Sequence, residues 1–235
     1  MDPLAGTAWS QPSTVSGFVQ SPPNAVLVEF AAAELARATG RWALDVGCGA
    51  GRNALPLARL GWHTVGTDLS WPMVAAAVER ARAERLLDRF QPILAPMHAL
   101  PARDSSVDLL VAHGIWNLAR SAVEFRGAVA EGARVARPGA ALFVFTFSRN
   151  TLPASAAPLD GEPFVFTQFS GEPQCFLTES QLVDELARAG FALDPALPVR
   201  ELNLPRPGQL AAGKAPVIYE AGFRRTTEPV HSVHT

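Results

Sequence analysis

Three features of the sequence carry residue types and spacings that could do chemistry. The first is Leu44-Asp45-Val46-Gly47-Cys48-Gly49-Ala50-Gly51, an apolar run that breaks into three alternating glycines. Glycine has no Cβ, so such a loop can turn sharply and bring bare backbone against a ligand. A helix expected from Arg52 to Leu60 would add unpaired N–H groups at its start. The second is Asp68, which lies 17 residues after Gly51. A carboxylate placed after the next strand can accept hydrogen bonds from both hydroxyls of a ribose. The third is His113, in Ala112-His113-Gly114-Ile115-Trp116, a candidate general base or a polar group near a reacting centre. Its plainer alternative is a hydrogen-bonded histidine that touches only a cofactor or the backbone. Together these point to a nucleotide-like cofactor. The glycine spacing is not G-x-G-x-x-G, because Arg52 stands where the last glycine would fall, and no Gly-Lys-Ser/Thr follows to make a phosphate loop.

The elements needed to position these residues are legible as alternating strands and helices. Strands are expected over 42–46, 63–67, 91–95, 107–112 and 140–147. Helices are expected over 22–39, 52–60, 72–87 and 122–136, with Ser21 as an N-cap of the first and Pro138-Gly139 as a turn before the fifth strand. Five alternations of this kind predict an α/β fold, a doubly wound and mostly parallel sheet with helices on both faces. Ligands of such sheets bind beyond the carboxyl ends of the strands, where all three features fall. Residues 1–20 show no period and are read as a flexible N-terminal arm. Residues 21–225 are read as a single domain with an irregular insert at about 148–176, rich in Pro and Phe, in which 164–169 is one strand. A helix follows from the Thr178 N-cap, with Gln181 three residues on, to Ala189. Residues 216–223 are a last strand and 226–235 a tail.

The glycine loop with Asp68 resembles the first motifs of class I S-adenosylmethionine-dependent methyltransferases, small-molecule group. Two further stretches are similar to that family: Leu100-Pro101 with Val107-Asp108-Leu109-Leu110-Val111, and Arg134-Val135-Ala136-Arg137-Pro138-Gly139. The resemblance implies a Rossmann-like domain over residues 21–225 and S-adenosyl-L-methionine as cofactor. It implies that Gly47, Gly49 and Gly51 line the methionine part, that Asp45 lies near its amino end, and that Asp68 holds the ribose. It places Leu69 beside the adenine, with Met73 as a second wall. The family's usual acid before the Leu-Pro pair is Pro96 here, so the backbone of Met97 and the side chain of His98 are the candidates to replace it. The implied reaction is methyl transfer to a small-molecule acceptor by in-line displacement, with His113 as the candidate catalytic group. Trp116, Phe147 and the segment 164–176 are expected either to wall the acceptor or to close the core, and Trp9 and Phe18 to fold over the cofactor as a lid. The alternative function is a non-catalytic S-adenosylmethionine or S-adenosylhomocysteine binding protein.

Composition narrows the field. With 48% hydrophobic and 18% charged residues the chain can bury a core. A net charge of -2 gives no field for nucleic acid. The family's DNA and RNA amino-methylating members carry Asn/Asp-Pro-Pro-aromatic where this chain has His113-Gly114-Ile115-Trp116. Two cysteines do not make a disulfide framework and fit a reducing, cytoplasmic compartment. No apolar run approaches the roughly 20 residues that span a bilayer, and no metal-ligand spacing is present.

Overall fold

The computed structural model describes residues 2–204 and 215–226. In chain order the elements are α1 (Pro12–Gln20), α2 (Ala25–Leu35), β1 (Trp42–Val46), α3 (Ala54–Leu60), β2 (His63–Asp68), α4 (Trp71–Ala83), β3 (Phe90–Leu94) and β4 (Val107–His113). They continue with α5 (Ala122–Val135), β5 (Ala136–Phe147), β6 (Val165–Phe166), β7 (Gln174–Cys175), α6 (Glu179–Arg188), β8 (Phe191–Leu193), β9 (Arg200–Leu202) and β10 (Ile218–Arg225). The main sheet runs β3-β2-β1-β4-β5-β10-β8, with β9 also on β10. The pairs from β3 to β5 are parallel, while β10 is antiparallel to β5. This is the doubly wound, Rossmann-like α/β arrangement expected, with its order reversing beside β1.

Strand parity builds the two faces. Leu44, Val46, Leu110, Ala112, Leu142 and Val144 point to one side and pack with Phe125 of α5 and Leu182 and Leu186 of α6. Ala43, Leu109, Val111, Ala141 and Phe143 point to the other and meet Leu27 and Phe30 of α2 and Leu57 of α3. The same parity places Asp45, His113 and Phe145 on the α2/α3 side, next to the carboxyl ends of their strands. Buried Trp62 closes that side and donates its indole N–H to Ala31 O at 3.2 Å.

Local chemistry sets the element ends and corrects several expectations. α2 begins at Ala25, not Pro22. Ser21 and Pro22 each precede a proline, which disfavours helical backbone, so Asn24 is the cap and its Oδ1 accepts from Leu27 N at 3.0 Å. Pro138-Gly139 lies inside β5 and is not a turn before it. The β4–β5 register shifts between Val107 and Leu109, and Gly139 takes φ +81° there. The expected capping box of α6 is present, with Thr178 and Gln181 bonded reciprocally. In the insert, the strand expected over 164–169 is only Val165–Phe166, hairpinned to Gln174–Cys175.

The N-terminal arm is the largest correction. Residues expected to be flexible form a 3-10 turn, Ala8–Ser10, and the helix α1. The Asp2 carboxylate accepts from Trp71 N at 3.1 Å and Ser10 Oγ at 2.7 Å, and Ser70 Oγ donates to Trp9 O at 3.1 Å. Those bonds pin the arm to the start of α4. The expected tail, 226–235, lies outside the described residues apart from Thr226.

Candidate functional site

At the carboxyl ends of β1, β2 and β4 the structure holds a cavity of about 770 Å³, within the size range of small-molecule sites. Gly47, Gly49, Asp68, Leu69, Met73, Met97, His98 and His113, all expected site residues, line it. Asp45 and Gly51 do not: Asp45 is 1% exposed beneath the loop. A Cβ on Gly51 would meet the Phe90 ring at 2.9 Å, so that glycine answers to packing in the core.

The other two glycines present bare backbone to the cavity. Gly47 has φ +71° and Gly49 φ +52°, values that side chains rarely adopt. A Cβ at Gly47 would meet Ile115 at 2.8 Å and one at Gly49 would meet Phe18 at 2.9 Å. Asp68 is bound to the same loop. Its Oδ2 accepts from Gly49 N at 2.9 Å and its Oδ1 from Ser70 N at 2.8 Å. Each oxygen keeps acceptor capacity. Burial pushes the Asp68 carboxyl above the usual carboxylate range, with these N–H bonds acting against that.

Below and beside the loop lie charges with incomplete partners. Asp45 Oδ2 is buried with no hydrogen-bond partner among the described residues. Burial pushes its carboxyl up to about 7, against the pull of Arg52. Arg52 lines the cavity, and its one hydrogen-bond partner among the described residues is His113, where its Nη2 donates to Nδ1 at 3.1 Å. Asn24 Nδ2 stands 3.3 Å from His113 Nε2 and donates to Glu220 Oε2 at 2.9 Å. The His113 ring stacks on Phe145, with centroids 4.0 Å apart and planes 7° off parallel. Burial, then the Arg52 charge, push His113 down to about 3. Of the two readings expected for His113, contacts at both ring nitrogens and the stack on Phe145 fit the hydrogen-bonded histidine better than a general base.

Of the aromatics expected either to wall an acceptor or to close the core, most close the core. Trp116 is 2% exposed and packs on Phe125, and Phe164, Phe166 and Phe176 are buried. From the insert only Glu172 reaches the cavity. The wall comes from groups that sequence reasoning missed, chiefly Leu4, Ile115, Leu118 and Phe145, and from Trp9 and Phe18 of the N-terminal arm. Arg120, Glu124 and Glu172 add charge to the lining. Pro96 lines the cavity between Ala95 and Met97, with Ala95 N held by Asp68 O at 3.0 Å. Among the described residues no cluster of His, Cys, Asp or Glu could hold a metal ion, and no helix is long and apolar enough to cross a membrane.

Comparison with known proteins agrees with this geometry. A family profile described as a methyltransferase domain matches residues 44–144. A demethylmenaquinone methyltransferase of Corynebacterium glutamicum is 25% identical over 169 residues, which are 65% of this chain and 68% of that protein. A ubiquinone/menaquinone biosynthesis C-methyltransferase of Roseobacter denitrificans is 33% identical over 129 residues, 54% of this chain and 50% of the relative. The chain thus spans between half and about two thirds of the length of these relatives. Among solved structures, a Burkholderia thailandensis 1,6-didemethyltoxoflavin-N1-methyltransferase with bound 1,6-didemethyltoxoflavin and S-adenosylhomocysteine aligns with TM-score 0.62 at 18% identity, over 85% of this chain and 78% of that one.

Proposed function

We propose that this chain, which belongs to the class I S-adenosylmethionine-dependent methyltransferases, transfers a methyl group from S-adenosyl-L-methionine to a small-molecule acceptor that arrives already nucleophilic. The residues present fit that cofactor. Gly47 and Gly49 bring bare backbone with positive φ to the cavity wall, where a Cβ would press on Ile115 and Phe18, and an orphaned carboxylate oxygen of Asp45 lies beneath them. When bound, the cofactor supplies an electrophilic methyl on a sulfonium, open to in-line displacement.

This chain's own groups bind, orient and exclude water. The backbone of Gly47 and Gly49 lines the amino-acid end, with Asp45 as the carboxylate nearest its ammonium. Asp68, pre-set by two backbone N–H bonds, takes the ribose hydroxyls. Leu69 and Met73 flank the base, and Met97 and His98 stand where the family's usual acid is replaced by Pro96. Phe18, Ile115, Leu118 and Phe145 give the acceptor an apolar enclosure.

One observation carries the acceptor's chemistry: His113 is stacked on Phe145 and contacted at its two ring nitrogens by Arg52 and Asn24, so neither nitrogen is open to take a proton from an acceptor. A phenolate, enolate, thiolate or carboxylate needs no base. Its attraction to a sulfonium also grows in a site of low dielectric. The relatives' names support a small-molecule acceptor more broadly: one is a demethylmenaquinone methyltransferase, and the Burkholderia N1-methyltransferase structure carries a small heterocycle. The test is turnover of S-adenosylmethionine over a panel of phenols, enols, thiols, acids and unactivated amines, read as S-adenosylhomocysteine by mass spectrometry. Methylation confined to acidic acceptors is expected. Preference for amines of high pKa would refute the acceptor class. The second reading, cofactor binding without transfer, rests on Pro96 in the cavity wall; it predicts binding of S-adenosylhomocysteine with no turnover on any member of the panel.

A further inference from the structure

The Arg52 guanidinium lines the cavity 5.9 Å from the centroid of the Phe18 ring. It forms no ion pair among the described residues, and its one hydrogen bond goes to the neutral ring of His113. Five N–H donors in a planar fork match a carboxylate far better than a single imidazole nitrogen. The contact is also awkward for His113. Arg52 can only donate, so Nδ1 must be bare and Nε2 must carry the ring proton. Yet Nε2 lies 3.3 Å from Asn24 Nδ2, which is itself a donor because Asn24 Oδ1 is committed to Leu27 N. The ring therefore has a donor on each side and one proton to place. The remaining neighbours do not relieve this: Phe145 stacks on its face, Glu220 is bonded to Asn24, and Asp45 acts on Arg52 from below without pairing to it. The arrangement relaxes if a ligand anion draws Arg52 off the ring.

We propose that Arg52 is the receptor for the carboxylate of a bound amino-acid moiety, parked on His113 in the free protein, so that filling the cofactor end of the cavity releases the Nδ1 edge of His113 to the acceptor. The proposal rests on the methyltransferase reading and deepens it. A carboxylate with one orphaned oxygen, Asp45, and a guanidinium with no ion pair among the described residues, Arg52, flank one glycine loop. That is the charge pattern of a zwitterion, and the α-amino acid end of S-adenosylmethionine is one. Arg52 then sets specificity for the intact amino-acid end. His113 becomes a positioning group whose acceptor-facing nitrogen is exposed only once the cofactor is in place, which makes binding ordered.

Two ligands separate the possibilities: S-adenosylhomocysteine, which carries the carboxylate, and 5′-methylthioadenosine, which lacks the amino-acid group. Calorimetry on wild type and Arg52→Met should show S-adenosylhomocysteine weakened by about 10- to 100-fold, the scale of hydrogen bonds to charged groups. Affinity for 5′-methylthioadenosine should not change. Arg52→Lys should recover part of the loss, since charge without the fork is a poorer match. In ¹³C-histidine-labelled protein, with the His113 signal identified by its loss in His113→Gln, S-adenosylhomocysteine should shift that signal and 5′-methylthioadenosine should not. Free Arg52→Met should already show the shifted position. Unchanged S-adenosylhomocysteine affinity in Arg52→Met overturns the proposal and gives the guanidinium to the acceptor. An equal loss for both ligands overturns it in favour of a purely structural role. Failure of wild type to bind S-adenosylhomocysteine at all strikes the methyltransferase reading instead.

Discussion

Asp45 and His113 titrate abnormally in opposite senses, and their linkages to stability should cancel in the wild type. Burial raises Asp45 from 3.8 to about 7. Between those values the folded chain holds a proton that the unfolded chain has lost, so stability falls as pH rises. His113 drops from 6.5 to about 3. Between those values the unfolded chain holds a proton that the folded chain lacks, so stability rises with pH. Each slope has a limit of about 1.4 kcal/mol per pH unit. From about pH 4.5 to 6.5 the two contribute about 2.7 kcal/mol each, with opposite signs. Asp45→Asn removes the falling term and His113→Gln the rising one. Urea denaturation of the ligand-free proteins at half-unit pH steps should show Asp45→Asn gaining on wild type by up to about 2.7 kcal/mol across that window, and His113→Gln losing a similar amount. The double variant should run parallel to wild type. Taking differences from wild type subtracts the paired carboxylates Glu131, Glu185 and Asp194, whose own lowered values shape the common background. Stability differences flat with pH for both single variants would refute the reasoning, because neither group would then hold its perturbed protonation state in the folded chain.

Three further outcomes follow from the geometry. Asp68→Ala should weaken S-adenosylhomocysteine binding by about 1.5–3 kcal/mol, the scale of hydrogen bonds to a charged group; an unchanged calorimetric Kd would count against the ribose assignment. Gly49→Val should abolish that binding while leaving the far-UV circular dichroism intact, because the new Cβ would press on Phe18 and the loop would be strained at φ +52°. Retained affinity would mean that the loop does not meet the ligand. Trp116→Ala should cost about 3–5 kcal/mol of stability as a core truncation yet leave cofactor affinity within about twofold, since Trp116 packs on Phe125 away from the cavity; a selective loss of acceptor turnover without lost stability would return it to the acceptor wall.

The sheet and the residues that line the cavity beside Gly47 and Asp68 were legible because their signals are local. Trp42–Val46 breaking into Gly47, and Asp68 at the end of the next strand, are short-range patterns set by strand parity and glycine backbone freedom. The N-terminal arm was not legible. Pro12–Gln20 has no apolar period, and its helix is held from outside, through Asp2 and Ser70 and the edge-on contact of Trp9 with Phe18 at 6.1 Å. Tertiary contact overrides weak propensity there. The polar chain from Arg52 through His113 and Asn24 to Glu220 was equally hidden. Asn24 and Glu220 are 196 positions apart, and only the antiparallel return of β10 beside β5 brings them together. The choice between acceptor wall and core closure was left open for a related reason. Phenylalanines crowd the insert, but composition cannot say which way they face, and Phe164, Phe166 and Phe176 are buried in the core.

The loop's charges explain why this site is built at some expense to the fold. A stable protein pairs its buried charges or replaces them with apolar groups. Here Asp45 and Arg52 are close enough to shift one another yet form no bond, and the donors around His113 outnumber its acceptors. Had Asp45 and Arg52 formed an ion pair, the free protein would gain and the cavity would close to a zwitterion, because a ligand would first have to break the pair. On the proposal above, leaving Asp45 Oδ2 without a partner and Arg52 without an ion pair among the described residues keeps a ligand's ammonium and carboxylate as the groups that best complete the network. The strain is therefore concentrated at the one place where binding can relieve it. Substitutions that relax it, such as Asp45→Asn, should raise the stability of the free chain while lowering its affinity for the cofactor, and a variant that gained both would show that the unpaired charges serve no ligand.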